Sequence, residues 1–93
     1  MQDFDWDEAK AAINRAKHGV SFDEAASALL DPQALTVFDT VHSSAEDRCL
    51  TIGFSQALRW LLVVSTDRES ATRIISARKA TSGERQTYER HKR

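Results

Sequence analysis

A chain of 93 residues suffices for one domain with a modest core, expected to span residues 1–93 as a single unit. Hydrophobic residues at 41% and charged residues at 29% exclude a disordered chain, and the longest apolar run, Trp60 to Val64, is too short for a membrane span. The formal charge of −1 conceals two unlike parts: residues 1–67 carry −6 and residues 68–93 carry +5, so the C-terminal third can attract phosphate.

The acidic start Met1-Gln2-Asp3 lacks the basic and apolar regions of a signal peptide, and the lone Cys49 forms neither an intrachain disulfide nor a zinc site by itself. A reducing cytoplasm is the expected home.

Taken in chain order, Asp5-Trp6-Asp7-Glu8 has the spacing of a capping box and predicts a first helix starting at Asp5, with Ala9, Ala12, Ile13 and Ala16 as its buried stripe. Gly19 is suited to the left-handed residue that closes it. Ser21-Phe22-Asp23-Glu24 predicts a second capped helix with Phe22, Ala25, Ala26 and Leu29 on its apolar face, stopped at Asp31-Pro32.

The period then changes. Leu35 to Asp39 reads as a short strand, and residues 40–47 as a polar loop containing His42. In Arg48 to Ser55, alternation puts Leu50, Ile52 and Phe54 on one face. Arg59 to Thr66 is apolar almost throughout, as expected of a central strand. Thr72 to Arg78 follows after a polar turn, with Ile74, Ser76 and Arg78 sharing a face on simple alternation. Connections this short require antiparallel pairing. Thr81-Ser82-Gly83-Glu84 is a third capping box, starting a helix whose one large apolar body is Tyr88. The expected fold class is therefore α+β: two helices, an antiparallel meander of about four strands, and a C-terminal helix, with the sheet covered on one face.

The three glycines, Gly19, Gly53 and Gly83, form no phosphate-binding loop, and His18, His42 and His91 have no metal-ligand spacing, so neither a cofactor nor a metal is expected. What remains is a set of cations and proton carriers. Lys17-His18 lies at the end of the first helix, and Arg73, Arg78, Lys79, Arg85 and Tyr88 follow in the last third. Cutting RNA without a metal needs a group that takes the 2′-hydroxyl proton, charge on the phosphorane, a proton for the leaving oxygen, and a hold on the bases. Histidine titrates near neutrality, arginine grips phosphate in a fork, and tyrosine stacks on bases or donates a proton.

Each of these residues also has a plainer explanation. Lys17 and His18 complement a helix dipole, Arg78 snorkels from the core edge or joins a salt bridge, Glu84 caps a helix, and Tyr88 packs one down. Trp6 and Trp60 read as core residues, and Cys49 as a small strand residue.

Phe4-Asp5-Trp6-Asp7, Ala9-Lys10, Lys17-His18-Gly19-Val20-Ser21-Phe22 and Ala25-Ala26 together resemble the N-terminal half of BrnT-type ribonuclease toxins. Thr51-Ile52-Gly53, then Arg73-Ile74-Ile75-Ser76-Ala77-Arg78-Lys79-Ala80, and then Glu84-Arg85 and Tyr88 are similar to the rest of that family. One difference is Ser82-Gly83, where the family often carries more basic residues.

The resemblance implies a RelE-like fold, metal-independent RNA cleavage that arrests translation, and a BrnA-like ribbon-helix-helix antitoxin through which alone the toxin meets operator DNA. As chemical assignments on matching positions, His18, Lys17, Arg78 and Arg85 are the expected catalytic set, with Arg73, Lys79 and Tyr88 on the RNA. The competing expectation is a non-catalytic RNA- or protein-binding module, such as an inactive toxin kept for its antitoxin contacts. Convergence separates the two, because an enzyme needs Lys17 or His18 near Arg78 and Arg85.

Overall fold

The computed structural model describes residues 3–39 and 47–91. The predicted loop with His42 lies outside them. In chain order the elements are β1 (Phe4–Asp5), α1 (Glu8–His18), α2 (Phe22–Leu29), β2 (Leu35–Asp39), β3 (Arg48–Phe54), β4 (Trp60–Arg68), β5 (Ala71–Lys79) and α3 (Ser82–His91). The expected meander is present: β2, β3, β4 and β5 pair antiparallel in sequence order. Among the described residues the sheet has five strands rather than four and is mixed, because β1 joins the outer edge of β5 in parallel through Phe4–Thr72 and Asp5–Arg73.

The helix ends follow from local chemistry. Asp7, not Asp5, caps α1, its carboxylate accepting from the backbone N–H groups of Ala9 and Lys10 at 2.8 and 3.2 Å. Asp5 is already committed to β1. Gly19 closes the helix with φ of +69° and donates its N–H to the Arg15 carbonyl. Ser21 caps α2 by accepting from Glu24 N. At α3 the capping box is complete in both directions: Thr81 Oγ1 accepts from Glu84 N, and Thr81 N donates to Glu84 Oε1.

The stripe expected on α1 faces solvent instead. Ala9, Ala12, Ile13 and Ala16 are exposed, Ile13 by 65%. The helix docks through a polar residue, Asn14, which is 6% exposed. Its amide nitrogen donates to the carbonyls of Val20 and Ala77, and its oxygen accepts from Ala77 N. Periodicity of apolar residues misassigned the face because three satisfied hydrogen bonds, together with half-buried Ala11, do the docking.

The main core lies between the sheet and α1 and α2, built from Val20, Phe22, Ala25, Ala28, Leu61, Val63, Ile74 and Ala77. Gly53 belongs to this contact. A Cβ placed there would come within 2.2 Å of the Ala28 carbonyl oxygen, so only glycine lets α2 lie this close to β3. The opposite sheet face is covered as well, where Tyr88 of α3 packs on Ile52 and Leu62, so the expectation of a sheet covered on one face is corrected.

A bulge accounts for a second correction. Val64 pairs with Ser76 and Ser65 with Ile74, leaving Ile75 extra. The alternation reverses there. Ile74 and Ala77 both enter the α1–α2 core, while Arg78, opposite Leu62, faces the α3 side.

Two substitutions test these contacts. Asn14→Leu strands the Ala77 and Val20 backbone groups and should lower the unfolding free energy by about 3 kcal/mol, measured by urea denaturation. Gly53→Ala should cost about 2 kcal/mol or more through overpacking against Ala28; an unchanged urea midpoint in either variant would contradict the contact it removes.

Candidate functional site

The sequence-predicted cations fall into three environments. The first is a shallow hollow of about 410 Å³ lined by Leu58, Arg59, Trp60, Lys79, Ala80, Thr81, Ser82 and Arg85. It sits where the β3–β4 hairpin, the end of β5 and the start of α3 meet. The hairpin closes with Ser55 N donating to the Arg59 carbonyl and Leu58 N to the Ser55 carbonyl. This tight closure puts Leu58 at φ of +62° with 73% of its surface exposed. A non-glycine residue held in that region stores strain.

Within this hollow the guanidinium of Arg85 lies over the Trp60 ring, 3.7 Å from its centroid. Trp60 in turn meets Phe54 with ring centroids 4.8 Å apart. The side chains of Arg85 and Lys79 make no hydrogen bond or ion pair with any described residue. Of the three cations lining this hollow, they are the two left open to an incoming anion.

Arg59 lines the same hollow but is committed. Its Nε donates to Glu24 Oε2 at 2.9 Å, one terminal nitrogen reaches Glu24 Oε1, and the same nitrogen donates to the Gly19 carbonyl at 3.1 Å. Glu24, 7% exposed, also accepts from Ser55 Oγ at 2.7 Å. The Arg59 hydrogen bonds hold the Glu24 carboxyl below its ordinary range against the opposing effect of burial. The sequence reading missed Arg59, and no linear signal joins positions 24 and 59.

The second environment holds Lys17 and His18. With Lys10, Ile13, Asn14, Ile75 and Ser76 they line a smaller hollow of about 200 Å³. Lys17 is exposed and His18 half-buried in the last turn of α1, and neither side chain has a hydrogen-bond partner among the described residues. The two hollows are linked through Gly19, next to His18 in the chain, whose carbonyl Arg59 binds. Lys17 and His18 do not line the hollow of Arg85, so the structure does not bring the expected catalytic set together in one hollow.

The third environment is structural. Arg78 forms a two-pronged pair with Glu84, NH1 to Oε1 and NH2 to Oε2, each 2.9 Å, and NH1 also donates to the Lys79 carbonyl. Its salt-bridge reading is the one the geometry displays. Arg73 lies at the far end of β5, roughly 16 Å along the strand from Arg78, and faces Asp5 at 3.4 Å. Tyr88 is 4% exposed and its hydroxyl donates to Asp31 Oδ2 at 2.8 Å, so its ring has no open face for a base; the expectation of stacking gives way to anchoring. Burial and the Asp31 carboxylate push the phenol up to about 12.

A hollow of about 460 Å³ beside Tyr88 and Asp31 has no cation in its lining. Among the described residues no group of three or more His, Cys, Asp or Glu is placed to hold a metal ion. No described helix is long and apolar enough to cross a membrane.

Comparison with known proteins gives a consistent answer. Residues 6–84 match the family model described as ribonuclease toxin, BrnT, of type II toxin–antitoxin systems. The structure is similar to the 1.1 Å crystal structure of the Brucella abortus ribonuclease toxin BrnT, with a TM-score of 0.68 and 28% identity over 88% of this chain and 100% of that one. No match is found among curated proteins.

The ion pairs give a pH dependence of stability with a definite sign. Arg78 first, then the Thr81 backbone, lower the Glu84 carboxyl from 4.5 against burial. A carboxyl lowered in the folded state stabilises above its unfolded value and loses that contribution as pH falls through the folded one. Stability should therefore drop below about pH 4.5, and Glu84→Gln, less stable at neutrality, should show a shallower acid loss. Thermal melts between pH 3 and 7 measure it; parallel profiles would rule out this contribution.

Proposed function

The chain belongs to the BrnT family of ribonuclease toxins of type II toxin–antitoxin systems, and on that premise we propose that it is a metal-independent endoribonuclease that arrests translation. The reading includes a RelE-like fold, a cytoplasmic site of action and a BrnA-like ribbon-helix-helix antitoxin that neutralises the toxin and brings it to operator DNA. It is carried by one observation: Arg85 and Lys79 stand open beside an aromatic wall, while Arg59 and Arg78 are spent on carboxylates.

In the proposed reaction the ribose 2′-oxygen attacks the adjacent phosphorus, losing its proton to a base, and the P–O5′ bond breaks as the 5′-oxygen gains a proton. His18 is the first choice for proton transfer and Lys17 the second, as base or charge stabiliser. Arg85 binds the scissile phosphate, where a preorganised donor is worth about a hundredfold or more in rate. Arg78 joins it only by exchanging Glu84 for phosphate. Lys79 contacts the RNA backbone beside Arg85, and Arg73 contacts it only if the substrate runs the length of β5.

A second reading, a toxin that binds without cutting, is favoured by the separate hollows of His18 and Arg85. Purified toxin freed of antitoxin, incubated with labelled RNA in excess EDTA, decides between them. Cleavage with 2′,3′-cyclic or 3′-phosphate ends is expected, reduced about a hundredfold or more in Arg85→Ala and abolished in His18→Ala. Full activity in His18→Ala moves proton transfer to Lys17, and products with other ends exclude the 2′-hydroxyl route. Co-expression with the neighbouring small gene product should yield a stable complex on affinity purification of the toxin. Recovery of the toxin alone, with no arrest of growth, would contradict the antitoxin pairing.

A further inference from the structure

The cation best placed for phosphate is not held by any hydrogen bond. Arg85 is exposed on the first turn of α3, and its guanidinium contacts the Trp60 ring at 3.7 Å. Trp60 is itself fixed from two sides. It begins β4, where its Cα partner on β3 is Phe54, and it receives the N–H of Ala80 on its own carbonyl at 2.9 Å. The Phe54 ring supports the indole at 4.8 Å. Phe54, Trp60 and Arg85 form a ladder of three planar groups running from the sheet into the basic hollow.

A ring face attracts a guanidinium through its quadrupole and offers it no hydrogen-bond acceptor. An arginine held this way keeps all of its N–H donors for a ligand. An arginine held by a carboxylate, as Arg78 is by Glu84, spends two of them. Position and donor capacity are thus kept together at Arg85 and traded against each other at Arg78.

We propose that Trp60 is a positioning residue for the ribonuclease reaction: its indole face fixes the Arg85 guanidinium in the hollow so that its donors meet the scissile phosphate. The proposal rests on the reading of Arg85 as the phosphate-binding arginine. A positioned donor lost to disorder costs rate rather than folding, and small misplacements at a reacting centre cost up to about a hundredfold.

The test uses Trp60→Phe, which keeps a ring, Trp60→Leu, which removes it, and each combined with Arg85→Ala. Cleavage of a short labelled RNA in EDTA should fall about tenfold or more in kcat for Trp60→Leu, with KM moving less, and Trp60→Phe should recover most of the loss. In the Arg85→Ala background, Trp60→Leu should add no further loss, because its effect passes through that guanidinium. An activity-independent readout is the NMR shift of the Arg85 side-chain protons, moved upfield by the indole ring in the native toxin and returned by Trp60→Leu. Wild-type cleavage undiminished in Trp60→Leu, or losses that multiply in the double variant, overturn the positioning role alone. An upfield Arg85 shift in a wild-type protein that cuts no RNA overturns the ribonuclease reading beneath it. If Trp60→Leu does not fold, an Arg85 shift at its random-coil position in the wild type is by itself enough to reject the ladder.

Discussion

Beyond Thr72 and Arg73, no strand among the described residues lies beside the outer edge of β5, since β1 ends at Asp5. The backbone N–H and C=O of Ala77 would be left bare there, and both are taken by the carboxamide of Asn14. The same amide nitrogen binds the Val20 carbonyl in the link between the two N-terminal helices. One side chain thus extends the sheet, docks α1 and fixes the path by which the chain enters α2. The placement of His18 and Gly19 follows from it, and with Gly19 the anchor point of Arg59. An apolar residue at position 14 could bury as much surface but could not complete the edge, because buried backbone groups without partners cost more than a methyl group returns.

Carboxylates sort the cations of the basic face. Glu24 and Glu84 each hold one arginine, and each also belongs to a helix start: Glu24 N is capped by Ser21, and Glu84 forms a full box with Thr81. The starts of α2 and α3 are thereby tied to the β3–β4 hairpin and to β5 respectively, through Arg59 and Arg78. What remains for a ligand is defined by subtraction. Lys79 and Arg85 form no ion pair with either carboxylate, and the strained exposed Leu58 rims the hollow they occupy. The acidic partners give the face its geometry and the unpaired cations give it its charge.

Much of this was legible in the sequence because it depends on neighbours in the chain. The caps at Ser21 and Thr81, the left-handed Gly19, the strand Leu35–Asp39 and the meander all follow from spacing of a few residues. The misreadings share a cause in long-range pairing. A two-residue strand has no period to detect, so β1 was invisible and Asp5 passed for a cap. Apolar spacing on α1 pointed away from the core because docking rests on Asn14. The extra residue at Ile75 shows itself only against β4, and it sends Arg78 to the side of the sheet opposite Ile74. At the site, the sequence singled out Arg85 and Lys79 together with Arg78 as cations of the last third, while what sets Arg78 apart from them needed Glu84 in three dimensions. The Trp60 platform was hidden because an apolar strand residue and a stacking platform look identical in sequence.

Tyr88 is the chain's single tyrosine, and it carries the attachment of α3 to the body of the protein: its ring lies on Ile52 and Leu62 and its hydroxyl on Asp31. Asp31 also accepts from Phe54 N and Gln33 N, so the carboxylate it binds is rigidly held. A phenol raised to about 12 in the folded state contributes fully below its unfolded value near 10 and loses that contribution as pH rises through the folded one. Alkali therefore acts on this protein as a chemical lever on one joint. Because no other phenol exists in the chain, ultraviolet absorbance of the phenolate is a native gauge of whether the C-terminal helix, and Arg85 with it, is seated.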